Sequence, residues 1–108
     1  MECAIGIDVG TTNSKVVLCE LPSCNTLHVV KFESPKRTDG AGHVDFDLGA
    51  LEQELARALA ESVSSAPEST VSFISVASVG ESGALVFPDG AHSETSIAWF
   101  DSRGASYA

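Results

Sequence analysis

The chain has 108 residues, 44% of them hydrophobic and 19% charged, which suits one small domain with a modest core. Its net charge of −9, with only six Lys and Arg, leaves too few cations for a phosphate-tracking stripe, so nucleic acid is not an expected partner. Its apolar runs are too short to span a bilayer, and the opening Met-Glu-Cys-Ala lacks the basic region of a signal peptide. No membrane partner is expected, and the cytoplasm is the default location.

Ala4–Val9 places apolar residues at 5, 7 and 9, the period of a strand. Lys15–Cys19 is β-branched and apolar on both faces, which predicts a buried central strand. A short loop joins the two, so they are expected to form an antiparallel hairpin. Leu27–Phe32 is a third strand after a turn at 22–25, giving an N-terminal meander. Residues 34–44 carry Pro35, Gly40 and Gly42 and read as a loop.

Residues 47–61 read as a helix with Asp47 as N-cap and Leu48, Leu51, Leu55, Ala58 and Leu59 on one core-facing stripe. Strands are expected over 71–78, 84–87 and 96–100, with a turn at Pro88-Asp89-Gly90. Three strands, one helix and further strands make an α/β pattern with a mixed sheet.

Cys3, Cys19 and Cys24 are odd in number and lack CxxC spacing, which fits neither a disulfide framework nor a zinc site. Cys3 and Cys19 are expected as small buried thiols that could face each other across the first hairpin. His28, His43 and His92 are scattered and read as surface residues.

The stretch with chemical content is Asp8-Val9-Gly10-Thr11-Thr12-Asn13-Ser14-Lys15. Gly10 removes side-chain bulk, so backbone can approach a ligand. Successive N–H groups in such a turn can cup an anion. Thr11, Thr12, Asn13 and Ser14 add hydroxyl and amide donors, and Lys15 adds a positive charge. Asp8 would repel a phosphate unless a cation lay between them, a role suited to Mg²⁺ held through water by one carboxylate. The stretch therefore reads either as a phosphate–Mg²⁺ hairpin or as an ordinary polar turn edged by an aspartate. It is not a P-loop, because GxxxxGK[ST] is absent and a strand follows.

Ile5 to Lys15 resembles the first phosphate motif of the actin-like ATPase superfamily, which includes actin, Hsp70 chaperones and sugar kinases. Two later stretches are similar to one branch of it, the FGGY carbohydrate kinases. Ser78 to Gly90 resembles their substrate-side strand and hairpin, and Ile97-Ala98-Trp99-Phe100-Asp101-Ser102-Arg103 resembles their Trp-x-Asp-x-Arg segment. The acidic strand-to-helix segment Val44-Asp45-Phe46-Asp47 falls in the usual order before them.

The resemblance implies an α/β, ribonuclease H-like (actin-like ATPase) fold. Its mixed sheet would have an antiparallel N-terminal meander, and residues 1–108 would form the front part of an incomplete N-terminal domain. It implies ATP and Mg²⁺ as cofactors, a sugar or polyol as substrate, and room for a homodimer in the full-length protein. Asp8 matches the aspartate that supports Mg²⁺, and Gly10, Thr11, Thr12, Asn13, Ser14 and Lys15 match the nucleotide-phosphate turn. Gly80, Glu81 and Ser82 match the tip that touches sugar hydroxyls, and Asp101 with Arg103 match the acid–basic pair beside the sugar pocket. Trp99 reads as core or as an aromatic platform for a sugar face.

The sequence departs from the family at 80–82. Pentulose kinases carry Gln-Met-His there and glycerol kinases a basic–acidic pair nearby, so the resemblance leaves the sugar open. The family's general-base aspartate has no match and is expected beyond residue 108, which makes the chain alone an expected inactive fragment. Two other readings stand beside the kinase: an actin-like ATPase of chaperone or activator type, and a non-catalytic module.

Overall fold

The computed structural model describes residues 1–104. The chain forms two compact units, Met1–Ser34 with Gln53–Val79, and Pro35–Glu52 with the residues from Gly80 onward. Residues 105–108 of the expected domain lie outside the described residues.

The first unit is built on a four-stranded sheet of order β3-β2-β1-β6, from β1 (Glu2–Val9), β2 (Asn13–Glu20), β3 (Thr26–Glu33) and β6 (Thr70–Ser78). The first three strands form the expected antiparallel meander, and β6 runs parallel to β1. β2 lies centrally, as its apolar run predicts. Register makes one face continuous: Ile5 pairs with Leu18, Val16 with Val30, and Ser14 with Phe32. All six are buried, because successive strand side chains alternate between faces.

Residues 53–65 of the helix α1 (Leu48–Ser65) cover that face. His28, in register with Leu18, lies 2.8 Å from Glu61 of α1, and Ala58 and Ser62 are fully enclosed. Asp47 caps the helix as expected, its Oδ1 accepting from the Ala50 N–H at 3.0 Å. The leucines at 48, 51, 55 and 59 are half-buried, and the closest packing on the stripe falls on Ala58 and Ser62. Cover stops short of β6, where Ile74 and Val76, in register with Ile5 and Ile7 on the same face, are 59% and 63% exposed.

Cys3 and Cys19 do not face each other. Cys19 pairs with Ala4 and Cys3 with Glu20, so the one-residue offset puts the two thiols on opposite faces. Only Cys3 is fully buried.

The second unit holds a three-stranded antiparallel sheet of order β4-β5-β7, from β4 (Lys36–Thr38), β5 (Val44–Asp47) and β7 (Thr95–Ile97). Phe46, Ser96 and Ala98 are buried here. Three expectations are corrected in this unit. The loop expected over 34–44 contains β4, a strand of polar residues defined by its pairing with β5. The strand expected over 84–87 is a single bridge between Val86 and His92, with Leu85, Val86 and Phe87 all exposed. The last strand ends at Ile97 because a turn begins, in which the Asp101 N–H donates to Ala98 O at 2.9 Å.

Candidate functional site

The turn between β1 and β2 is tight. The Gly10 N–H donates to Asn13 O at 3.1 Å, and a Cβ on Gly10 would lie 2.4 Å from that same oxygen. Glycine is thus required here by space rather than by an unusual φ. Thr12 and Asn13 are exposed and Thr11 is half-buried. Asp8 near the end of β1 pairs in register with Lys15 of β2. Alternation puts both on the sheet face away from α1, and both are exposed. A carboxylate, an ammonium group and a hydroxyl-rich turn thus converge at one end of the first hairpin.

Ser14 does not join them. It is 0% exposed, and its hydroxyl lies 2.8 Å from that of Ser34. Ser34 follows β3 and was not legible as a site residue. Its hydroxyl donates to Gly10 O at 2.6 Å and its N–H to Thr12 O at 2.9 Å.

Among the described residues no three His, Cys, Asp or Glu side chains gather into a metal-binding group. Asp8 stands as a single exposed carboxylate, which suits an ion that keeps most of its water.

In the second unit, Gly80 and Glu81 are exposed, and the Ser82 hydroxyl donates to Ile97 O at 3.0 Å. Glu81 has φ of 57°, in the left-handed region that an L-residue occupies at a cost. Trp99 is 52% exposed, which places it outside the core, with its ring edge-on to Phe100 at 5.5 Å.

The Asp101 side chain is fully enclosed. Its Oδ2 accepts from the Val44 N–H at 2.5 Å, and its Oδ1 accepts from Arg103 N–H at 2.8 Å and Nε at 2.9 Å. Arg103 Nη2 reaches Asp45 Oδ1 at 2.7 Å. The Arg103 guanidinium, with the Val44 and Arg103 amides, holds the Asp101 carboxyl well below the usual carboxylate range. The same pairing, reinforced by Asp45, raises Arg103 further above its ordinary value. The family resemblance brought out Asp101 and Arg103 but gave no site role to Asp45, the other carboxylate on that guanidinium.

The three histidines each meet a carboxylate: His28 with Glu61 at 2.8 Å, His43 with Asp39 at 2.9 Å and His92 with Glu52 at 2.7 Å. They read as structural pairs in partly exposed positions.

Residues 3–108 match the FGGY family of carbohydrate kinases, N-terminal domain. The chain belongs to this family. Its fold is shared with solved xylulose and gluconate kinases. A ligand-bound xylulose kinase from Lactobacillus acidophilus superposes with a TM-score of 0.85 at 22% identity, covering 99% of this chain and 21% of that one. A gluconate kinase from the same organism gives 0.85 at 23% identity, covering 98% and 21%. A xylulose kinase from Rhodospirillum rubrum gives 0.81 at 23% identity, covering 96% and 22%.

The mixed sheet with its N-terminal meander is therefore the actin-like ATPase fold of the sugar-kinase N-terminal domain. The chain spans about a fifth of the length of these kinases. A search of curated proteins returned no match. No helix among the described residues is long and apolar enough to cross a membrane.

Proposed function

We propose that this FGGY domain supplies the phosphate-binding hairpin and part of the sugar-contacting surface of an ATP-dependent kinase. Such a kinase transfers the γ-phosphate to a hydroxyl of a sugar or polyol. The observation that carries the reading is the Gly10 turn. Its backbone closes so tightly that only glycine fits, and it is edged by the exposed Asp8 and Lys15. An ordinary polar turn has no need of that combination.

Phosphoryl transfer depends on positioning and charge neutralisation more than on covalent chemistry by the protein. Thr11, Thr12 and Asn13 would offer hydroxyl, amide and backbone donors to the nucleotide phosphates, and Lys15 a positive charge. Asp8 would hold Mg²⁺, through water. When bound, Mg²⁺ supplies positive charge against that developing on the phosphoryl oxygens.

Gly80, Glu81 and Ser82 would meet sugar hydroxyls, with Trp99 offering an apolar ring face. Arg103 would serve as a donor braced by Asp101 and Asp45. Asp101 itself would act through Arg103, since its oxygens are engaged by the Val44 and Arg103 donors. Dependence on ATP fits a cytoplasmic enzyme.

The test uses the protein from the complete reading frame. ADP release is followed across a panel of polyols, ketoses and aldoses, with Asp8→Ala as control. Sugar-stimulated release that Asp8→Ala abolishes supports the kinase and identifies the substrate class. Release indifferent to every sugar would refute it and favour an ATPase that drives a protein partner.

A further inference from the structure

Ser14 and Ser34 are 0% and 3% exposed, on a face otherwise built from Val16, Leu18, Val30 and Phe32. A buried hydroxyl is costly unless it is bonded, and an alanine at either place would avoid that cost. Both hydroxyls are bonded, and the bonds have a direction. The Ser34 Oγ–H donates to Gly10 O at 2.6 Å, and the two hydroxyl oxygens are 2.8 Å apart. A hydroxyl has one proton to give. Ser34 gives its proton to a carbonyl that can only accept, so Ser14 donates to Ser34. The relay runs from Ser14 through Ser34 to the Gly10 carbonyl.

Peptide planarity carries this order into the turn. The carbonyl of Gly10 and the N–H of Thr11 belong to one trans peptide unit and point in opposite directions. Fixing the Gly10 oxygen on Ser34 fixes the heading of the Thr11 N–H. The Ser34 N–H, donating to Thr12 O at 2.9 Å, pins the next carbonyl but one. A single residue beyond the end of β3 thus holds two carbonyls of the β1–β2 turn.

We infer that Ser34, backed by Ser14, is a positioning residue that sets the direction of the Gly10–Thr11 peptide, taking the turn as the phosphate-binding element proposed above. Its hydroxyl touches no phosphate. It orients the turn that does, and Ser14 belongs to this relay rather than to the phosphate contacts.

The experiment measures MgATP affinity by calorimetry, steady-state KM for MgATP and for the sugar, and the melting curve. The protein from the complete reading frame is compared with Ser34→Ala, Ser34→Cys, Ser34→Thr, Ser14→Ala and Asp8→Ala. Ser34→Ala is expected to weaken MgATP binding about 5–10-fold, the scale of one lost hydrogen bond, with the sugar KM unchanged. Ser34→Thr keeps the hydroxyl and should restore binding. Ser14→Ala should shift binding in the same direction by less.

Ser34→Cys keeps the size of the side chain but offers only a weak donor, so it carries the test should Ser34→Ala not fold. Wild-type MgATP affinity in a folded Ser34→Ala or Ser34→Cys protein, with Asp8→Ala impaired, overturns the role of Ser34 and leaves the phosphate reading standing. Equal losses for MgATP and sugar also overturn it, since they mean general loosening. A wild-type protein that binds no MgATP overturns both.

Discussion

Replacing Gly10 with alanine tests the proposed phosphate turn where its backbone is tightest. The new Cβ would sit 2.4 Å from Asn13 O, whereas real Cβ atoms essentially never come closer than 3.0 Å. The two strand ends must separate by roughly 0.6 Å, the difference between those distances. Backbone forms both sides of the contact, so no side-chain rotation relieves it. The shift works directly against the 3.1 Å bond from Gly10 N–H to Asn13 O and against the Ser34 hydroxyl on Gly10 O.

Overpacking of this kind costs about 1–3 kcal/mol. In a domain of this size that lowers Tm by about 5–20 °C. Melting followed by circular dichroism reads the stability cost, and calorimetric titration with MgATP reads the effect on the turn. The expected result is a lower Tm together with weaker MgATP binding. A Gly10→Ala protein with wild-type Tm and wild-type binding would refute the close-approach argument.

Glu81 presents the opposite case. Its φ of 57° favours glycine, so Glu81→Gly should stabilise the domain by about 1 kcal/mol, while the lost carboxylate lowers sugar-stimulated turnover. A rise in Tm with unchanged sugar KM would separate the strain from any role in binding.

Asp101→Asn should destabilise the second unit, because an amide cannot match the charge-assisted bonds from Arg103 and the backbone. The folded-state pKa of Asp101 is lowered, so its stabilising contribution is present above the ordinary carboxylate range and is lost as pH falls through the folded value. Urea titrations at descending pH should show the wild-type advantage over Asp101→Asn shrinking under strongly acid conditions.

His92 runs the other way. Its Nδ1 lies 2.7 Å from Ser93 O and its Nε2 2.7 Å from Glu52 Oε2, so both ring nitrogens face acceptors and the charged ring is favoured. The Ser93 carbonyl first, and Glu52 second, raise its pKa above the ordinary 6.5. That contribution is complete below about pH 6.5 and lost as pH rises through the raised value. A urea midpoint that falls over this interval in the wild type and stays flat in His92→Gln is the expected outcome.

The first unit was legible because its local signals agree with its tertiary setting. Alternation at 5, 7 and 9 and the apolar run of β2 both point to elements that packing then confirms. The second unit was less legible because neighbours define its elements. Lys36-Arg37-Thr38 has no strand character of its own and becomes a strand by pairing with Val44–Phe46. Leu85-Val86-Phe87 has strand character but finds only one bridge.

At the candidate site, the turn announced itself through its composition, while its supports did not. Ser34 is one serine after a strand, and its partners Ser14 and Gly10 lie 20 and 24 residues away. Asp45 reaches Arg103 across 58 residues. Contacts set by register and topology leave no mark in a local sequence window.

The parallel pairing of β1 with β6 governs the order of assembly. The meander β1–β3 closes through short turns, but Ile5 meets Ile74 only after the whole second-unit segment Pro35–Glu52 has been made. Loop closure over that distance is entropically slow, and slow parallel pairing is a feature of high contact order. During synthesis the edge of β1 that pairs with β6 therefore has no partner until residues 70–78 are made, well after the residues of the hairpin carrying Asp8 and Lys15. The β1–β2 turn thus needs only neighbouring residues to close, whereas the second edge of β1 can be covered only when β6 arrives.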